Sequence, residues 1–270
     1  MFNPELGVSL HMVGMPITER LLSALAASGV KTVELFPGLF GKGRGELDEV
    51  LLRETLTAMG ARTASVHAPF GTELDLSSAE NDVRATGLAS LRNSVDLAER
   101  FGADVVVVHA SAEPIPDQDR PHRLARATAS LHSLSGRCEE TGIRLAIELL
   151  PRSCIGNTVE ELLAILRELD SDLFGVCLDV NHLMERYHEL PDWVRALGPH
   201  LVTLHISDYD GVDEKHWLPG AGVIAWRPFM DALTEIGYSG PFNYESALPG
   251  ETPEEKLAAL EANFHALAGS

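Results

Sequence analysis

Long apolar segments and frequent cysteines are both missing from this 270-residue sequence. Its unbroken apolar stretches are short, such as residues 105–108, whereas a membrane-spanning helix needs roughly 20 apolar residues. The first ten residues, MFNPELGVSL, contain neither a basic region nor a long apolar stretch, so they are not typical of a secretory signal. The three cysteines, Cys138, Cys154 and Cys177, have no metal-ligand spacing. We therefore expect a cytoplasmic protein with reduced thiols and no membrane partner.

Clusters of basic residues are missing as well. The chain has 21 Lys and Arg against 40 Asp and Glu, which gives a formal net charge of -19. Repulsion from phosphates would oppose nucleic-acid binding unless a local basic groove overcame it, so a small-molecule substrate is favoured. No GxSxG segment occurs, and the glycine-rich stretch 38–45 lacks the Ser or Thr that follows the lysine of a P-loop. We interpret that stretch as a flexible loop.

The sequence is rich in short apolar runs that begin with a glycine and end on a carboxylate or a histidine. The terminal residues of these runs are Glu34, His67, His109, Glu148, Asp179, His205 and Glu245. Burying a polar group without a partner costs several kcal/mol, so one such run could be chance but seven are not expected by chance. The pattern indicates a ring of strands that deliver polar side chains to one shared site.

The spacing of the runs predicts the fold. They recur every 26 to 42 residues, which is the size of a unit of one strand and one helix. Segments with helical periodicity lie between them, at residues 17–28, 46–59, 81–101, 122–141, 158–169 and 226–236. An earlier strand, predicted over residues 7–13 with His11 near its end, brings the count to eight. The sequence therefore predicts an α/β protein, a single (β/α)₈ TIM barrel whose one domain covers residues 1–270.

The last four runs end on residues that suit a metal ion. These residues are Glu148, Asp179, His205 and Glu245. Each of them alone could be a structural polar residue, but a barrel brings the ends of its strands together. Three carboxylates and an imidazole around one point need a compensating charge, and this oxygen-rich set suits Mn²⁺, Mg²⁺, Co²⁺ or Zn²⁺. We expect a divalent metal cofactor there.

Other polar residues surround that set. They are His67, His109, His182, Glu214 and His216. Each histidine could be a core residue bonded to a backbone carbonyl, but together these residues are candidates for binding additional metal ions or the substrate. Glu34, in the string VELF, is a candidate substrate contact, with a paired loop carboxylate as the alternative.

The strings VELF, SVHAPF, VVVHAS, LAIELL, CLDVNH, LHISD, HWLPGAG and YES occur in this order along the chain. In this respect the sequence resembles the xylose isomerase-like TIM barrels. That superfamily includes sugar and sugar-phosphate isomerases and epimerases, hydroxypyruvate isomerase, inosose dehydratase and endonuclease IV. The resemblance covers nearly the whole chain, as far as Glu245.

The ketose epimerase branch of this superfamily implies roles for individual residues. The resemblance implies that Glu148, Asp179, His205 and Glu245 bind one metal ion, and that His182 helps to hold the substrate oxygens. Glu148 and Glu245 would also be the catalytic acid/base pair on opposite faces of the substrate. A metal bound to the carbonyl and hydroxyl oxygens would stabilise the enediolate that forms when a neighbouring carbon loses its proton.

Two positions depart from that branch, and a second branch matches more of the histidines. Cys154 stands where ketose epimerases have a glutamate, and Gly211 stands where they have an arginine. The three-zinc ligand pattern of endonuclease IV is matched at His67, His109, Glu148, Asp179, His182, His205, His216 and Glu245. Glu214 replaces its remaining aspartate.

We therefore expect a metal-dependent sugar or sugar-phosphate isomerase or epimerase whose substrate is a small polyhydroxy carbonyl compound. An inosose dehydratase-type lyase would use the same removal of a proton. An endonuclease IV-like abasic-site nuclease and a non-catalytic sugar-binding protein are the alternatives from other classes. The charge disfavours nucleic acid as a partner, and a homo-oligomer is compatible with the sequence.

Overall fold

The computed structural model of the chain describes residues 4–40 and 45–268, so residues 41–44 of the glycine-rich stretch lie outside the described residues. Eight parallel strands form a nearly closed barrel, which confirms the predicted TIM-barrel fold. The strands are β1 Leu6–Ser9, β2 Thr32–Leu35, β3 Arg62–His67, β4 Val105–Val108, β5 Arg144–Glu148, β6 Phe174–Asp179, β7 Leu201–His205 and β8 Phe242–Tyr244. Their order in the sheet is β7-β6-β5-β4-β3-β2-β1-β8.

Helices cover the outside of the barrel. They are α1 Leu10–Val13, α2 Glu19–Ala26, α3 Gly45–Met59, α4 Asn81–Phe101, α5 Arg120–His132, α6 Ser135–Thr141, α7 Val159–Leu166, α8 Leu190–Leu197, α9 Trp226–Glu235 and α10 Pro253–Ala268. Short 3₁₀ helices lie at Pro37–Leu39, Thr72–Leu74, Asp117–Asp119, Met184–Glu189 and Gly198–His200. In the described parts of the chain, no helix combines the length and the apolar character that crossing a bilayer requires.

The barrel closes at the end where the candidate site residues stand. Ile206, just after β7, donates its N–H to the carbonyl of Asn243 at 2.8 Å and accepts a hydrogen bond from the N–H of Glu245 at 3.1 Å. On the next strand, Asp179 pairs directly with His205 in the parallel register. The carboxyl ends of the strands therefore meet at one rim, as the pattern of polar run ends requires.

Two predicted elements differ from the structure. The strand predicted over residues 7–13 ends at Ser9, and the next four residues form the helical turn α1. Leu10 and Val13 are both buried, and a separation of three residues puts two side chains on one face of a helix. The helix predicted over residues 122–141 is two helices, because a bond from the N–H of Leu134 to the carbonyl of Leu131 tightens the chain between them.

The interior of the barrel is divided into an apolar side and a polar side. Val107, Ala146 and Cys177, on β4, β5 and β6, form a small buried cluster apart from the main core between strands and helices. The strands β8, β1, β2 and β3 instead contribute the buried polar side chains of Asn243, Ser9, Glu34 and Ser65. This polar side lies next to His205, which is 3.1 Å from Glu34.

Candidate metal centre and active-site cavity

A cavity of about 620 Å³ opens at the carboxyl ends of the strands. Its lining residues are His11, Met12, His67, Phe70, Gly71, Thr72, His109, Ser111, Ala112, Glu113, Glu148, Leu150, Pro151, Arg152, Cys154, His182, Glu214, Lys215, His216, Glu245 and Ala247. Glu148 and Glu245 face this space, whereas Asp179 and His205 are completely buried behind it. The cavity lies where TIM barrels hold their active sites.

The four residues predicted to bind a metal ion come together. Glu148, Asp179, His205 and Glu245 each offer a ligand atom, and these atoms lie within 4.8 Å of one another. His205 Nδ1 is 2.8 Å from Glu245 Oε2 and 3.3 Å from Glu148 Oε1.

Asp179 has one oxygen whose surroundings call for a cation. Its Oδ1 accepts the N–H of Asn181 at 2.9 Å, whereas its Oδ2 is buried without a hydrogen bond and has His182 Nε2 at 3.5 Å. A buried carboxylate oxygen without a donor is energetically costly, and a cation would supply the missing interaction. The donor set of three carboxylates and one imidazole therefore fits a divalent ion.

Electrostatic coupling within this set is strong. Burial would raise the pKa of Glu148, but the imidazoles of His109 and His205 lower it well below its ordinary value. Burial would likewise raise the pKa of Glu245, and His205 lowers it. Asp179 differs, because burial is the dominant effect and raises its pKa. Glu148 and Glu245 are therefore held ionised, as bases and metal ligands need to be.

Two further groups of donors adjoin the first. His67 Nε2 and His109 Nε2 both approach Glu148 Oε2, at 3.1 and 2.9 Å. On the other side, Asp179, His182 and His216 offer ligand atoms within 4.8 Å of one another. These groups share Glu148 and Asp179 with the first set, so all of these residues together form one continuous polar surface at the bottom of the cavity, which we call the polar floor.

Three of these histidines donate a hydrogen bond from the same ring nitrogen. The Nδ1–H of His67 donates to the carbonyl of Ala68 and that of His182 to the carbonyl of Leu149, both at 2.8 Å. The Nδ1–H of His216 donates to the carbonyl of Glu245 at 3.1 Å. A bond of this kind places a hydrogen on Nδ1 and makes Nε2 the nitrogen that a metal ion or a substrate hydroxyl can approach.

Glu214 lines the cavity and lies beside His182. Its Oε1 accepts a hydrogen bond from Arg152 Nη1 at 2.8 Å, while its Oε2 lies 3.3 Å from His182 Nε2. Arg152 also pairs with Glu113 at 3.1 Å and with Asp213 at 2.7 Å. In the described structure Asp179 groups with His182 and His216, while Glu214 contacts His182 with one oxygen and the Arg152 ion-pair network with the other.

Glu34 does not line the cavity. It lies behind His205, whose Nε2 is 3.1 Å from Glu34 Oε1, and only 1% of its surface is exposed. This position cannot provide the direct substrate contact suggested by the sequence, because the imidazole of His205 separates the carboxylate from the cavity.

Several cavity residues were not found by sequence reasoning. His11 Nε2 lies 3.5 Å from Glu245 Oε1, and its place on α1 rather than on a strand directs it there. Phe70 is 55% exposed and stacks on His109 with ring centroids 4.1 Å apart. Cys154 lines the cavity as well, and burial raises the pKa of its thiol to about 12. Phe70 follows His67 by three positions, so its signal in the sequence is an aromatic residue in the loop after a strand that ends on a predicted site residue.

Comparison with known proteins gives one family and several relatives. The family described as "Xylose isomerase-like TIM barrel" matches residues 22–265. A ketose 3-epimerase of Arthrobacter globiformis is 27% identical over 188 residues, which cover 68% of this chain and 63% of that protein. An L-ribulose 3-epimerase of Mesorhizobium japonicum is 28% identical over 192 residues, covering 70% and 63%. The chain thus spans a little under two thirds of the length of these two relatives.

Solved structures extend the likeness of fold to the whole chain. A D-tagatose 3-epimerase-like protein superposes with a TM-score of 0.81 at 23% identity and covers 98% of both chains. An L-ribulose 3-epimerase superposes with a TM-score of 0.82 at 18% identity, covering 99% of this chain and 95% of that one. At these identities the superpositions establish the shared barrel and no more.

Proposed function

Because the chain belongs to the xylose isomerase-like TIM barrel family, we propose that it is a divalent-metal-dependent sugar isomerase or epimerase. Glu148 and Glu245 form its acid/base pair. The observation that carries this proposal is the different placement of the four residues: Asp179 and His205 are buried, while both glutamates reach the cavity. Relatives described as ketose 3-epimerases support the same class of reaction.

The proposed reaction moves a proton on the carbon next to a carbonyl. When bound by Glu148, Asp179, His205 and Glu245, the divalent ion supplies Lewis-acid stabilisation of negative charge on the substrate oxygens. One glutamate removes the proton to give an enediolate, and the other returns a proton to the opposite face. The imidazole of His11, 3.5 Å from Glu245, lies within reach of a proton that this glutamate carries.

The charges around the cavity favour an uncharged substrate. Four of the lining residues are glutamates, and Arg152 and Lys215 are the Lys and Arg side chains among the lining residues that the structure describes. Arg152 is already shared by three carboxylates, so a sugar phosphate would find its guanidinium occupied and its phosphate close to acidic groups. We therefore propose a free polyhydroxy ketone or aldehyde rather than its phosphate ester.

The test is proton exchange in D₂O with protein loaded with Mn²⁺, Co²⁺ or Mg²⁺. Free ketoses and their phosphates are incubated separately, and deuterium at the carbon next to the carbonyl is measured by NMR together with the identity of the product. We expect exchange into at least one free ketose. Absence of exchange into every sugar by metal-loaded, folded protein would contradict the proposal, and preference for a phosphate would contradict its substrate class.

A conservative variant identifies the acid/base residue. Glu245→Gln keeps the size of the side chain but removes the base, so we expect kcat to fall by about 10²–10⁴-fold. Glu251→Gln, an exposed position six residues later, is the matched control and should leave kcat unchanged. Equal kcat values for the two variants would remove Glu245 from the mechanism.

The alternative functions predict different experimental outcomes. A dehydratase would remove the same proton and then release water, so its product is lighter by the mass of one water molecule. The two further donor groups around His67 and His182 are the observation that favours an abasic-site nuclease, and cleavage of an abasic duplex at low salt tests it. A non-catalytic sugar-binding protein would bind a sugar without exchanging its protons.

A further inference from the structure

Glu34 occupies the polar side of the barrel interior, one layer beneath the rim. Its Oε1 accepts a hydrogen bond from Ser9 Oγ and its Oε2 accepts one from Ser65 Oγ, both at 2.7 Å. His205 Nε2 lies 3.1 Å from Oε1 and 3.2 Å from Oε2. Asn243 Nδ2 donates to Ser9 Oγ at 2.9 Å, which leaves the serine hydrogen free to point at Glu34.

These contacts decide which nitrogen of His205 carries hydrogen once a metal ion is bound. A carboxylate that receives two hydroxyl donors is an acceptor only, so the nitrogen of His205 that faces it must be a donor. Without a metal ion, both nitrogens face carboxylates, and an ion held among Glu148, Asp179 and Glu245 would displace the hydrogen on their side of the ring and leave the hydrogen on Nε2. Nδ1 is the ring nitrogen that points toward Glu148 and Glu245, at 3.3 and 2.8 Å.

We propose that Glu34, held by Ser9 and Ser65, is a positioning residue that fixes the tautomer and ring orientation of His205 so that Nδ1 is its metal ligand. The inference rests on the proposed function only in assuming that the four-residue set binds a divalent ion. Carboxylates placed behind a metal-binding histidine are known to orient the ring and to increase its basicity.

A merely space-filling role does not account for Glu34. A carboxylate inside a barrel is costly to bury, and on the opposite side the interior is filled by Val107, Ala146 and Cys177. The same volume can thus be filled without charge. The cost of the carboxylate is explained if its negative charge strengthens the interaction of His205 with a cation.

The first experiment measures metal affinity without any sugar. Metal-free wild-type protein and the Glu34→Gln variant are titrated with Mn²⁺ by calorimetry, after circular dichroism has established that both are folded. The glutamine still offers an oxygen to His205 but carries no charge, so we expect the Kd to rise by about 10–100-fold. Glu49→Gln is the matched control, because Glu49 pairs with Arg100 on the outside of the barrel and its loss should not change the Kd.

The second experiment uses the wild-type protein and does not depend on a variant that folds. Imidazole nitrogen-15 NMR in the presence of Zn²⁺ distinguishes a metal-bound Nδ1 from a metal-bound Nε2. We expect His205 to show Nδ1 bound to the ion and hydrogen on Nε2. Metal on Nε2, or a Glu34→Gln Kd within twofold of the wild type, would overturn the proposal.

The two proposals fail separately. Weakened Mn²⁺ binding by Glu34→Gln in a protein that exchanges no sugar protons would refute the isomerase function and leave the role of Glu34 intact. Proton exchange by a Glu34→Gln protein with wild-type metal affinity would do the reverse.

Discussion

Replacing Asp208 with asparagine should destabilise the loop that follows β7. This carboxylate is completely buried and accepts four hydrogen bonds, two on each oxygen. Its Oδ1 accepts the N–H groups of Tyr209 at 3.0 Å and Ile224 at 3.1 Å. Its Oδ2 accepts the N–H of Gly220 at 2.7 Å and the indole Nε1–H of Trp226 at 3.0 Å. One side chain therefore holds both ends of the loop that carries Glu214 and His216.

The magnitude follows from this arrangement. An asparagine has one accepting oxygen, so it can keep one pair of bonds, and its NH₂ group then faces the two donors of the other pair. A hydrogen bond to a charged group contributes about 1.5–3 kcal/mol, so the loss of two costs about 3–6 kcal/mol. The barrel strands keep their own hydrogen bonds, so we expect most of the loss in residues 209–224.

Hydrogen exchange of the native protein measures this loss directly. A decrease of about 3 kcal/mol in the opening free energy should speed exchange of the amides of Gly220 and Ile224 by about 100-fold. Asp210→Asn is the control, because the N–H groups of Val212 and Asp213 both bond to the single oxygen Oδ1, each at 2.6 Å. An asparagine there can keep both bonds. If the two variants exchange at the same rate, the count of accepting oxygens does not govern the loop.

Three other changes have expected signs. Burial would lower the pKa of His67, but its hydrogen bond to Glu148 raises this pKa to about 9. The protonated imidazole therefore stabilises the metal-free protein fully below pH 6.5, and this stabilisation is lost as the pH rises through 9. Unfolding in EDTA across that range should show the decrease in the free energy of unfolding, and the His67→Gln variant should show a smaller dependence on pH. Gly87→Ala places a methyl group 2.3 Å from the carbonyl oxygen of Leu74 and should lower the free energy of unfolding by about 1–3 kcal/mol. Gly136→Ala meets no atom within 4 Å and should raise it by about 0.4–1 kcal/mol, and urea unfolding measures both changes. Mn²⁺ at 100 times its Kd should stabilise the fold by about 2.7 kcal/mol, and Asp179→Asn should abolish the rise in melting temperature.

The sequence predicts the barrel and the place of the site because both depend on regular features. Apolar runs that are introduced by glycine and alternate with helical segments predict parallel strands, and parallel pairing brings the polar ends of the strands to one rim. The resemblance to the xylose isomerase-like barrels is confirmed, because the family match covers residues 22–265. The roles proposed for individual residues stay predictions.

The depth of a residue inside the barrel is not visible in the sequence. Glu34 pairs in register with Ser9 on one side and with Ser65 on the other. Ser65 precedes His67 by two residues, so Glu34 lies one layer below the rim that His67 reaches. The register of β2 against β3 shifts between Val33 and Glu34. Such a stagger depends on how strands pack around the barrel, and a pattern of alternating side chains within one strand does not encode it.

Loop residues are hard to assign for a different reason. Glu214 bonds to Arg152 and lies beside His182, whereas His216 bonds to the backbone carbonyl of Glu245. Arg152, from the loop after β5, pairs with Glu214 across 62 residues of sequence. Asp208 fixes the loop's path. Neither the pairing of Arg152 with Glu214 nor the hydrogen bonds from Gly220 and Ile224 to Asp208 can be predicted from local spacing in the sequence.

The number of metal ions bound at the polar floor should determine how many of its histidines are protonated, because both metal ions and imidazolium groups balance the charge of its carboxylates. Four carboxylates, Glu34, Glu148, Asp179 and Glu245, surround His205, and one divalent ion would balance only two of them. The remaining charge needs protonated imidazoles or a second ion. His67 and His109 both approach the same oxygen of Glu148, so a proton shared there and a metal ion bound there would be alternatives. If the protein is the proposed isomerase with one ion, an imidazolium would remain beside Glu148, whereas a second ion held by His67, His109 and Glu148 would displace that proton and weaken the basicity of Glu148.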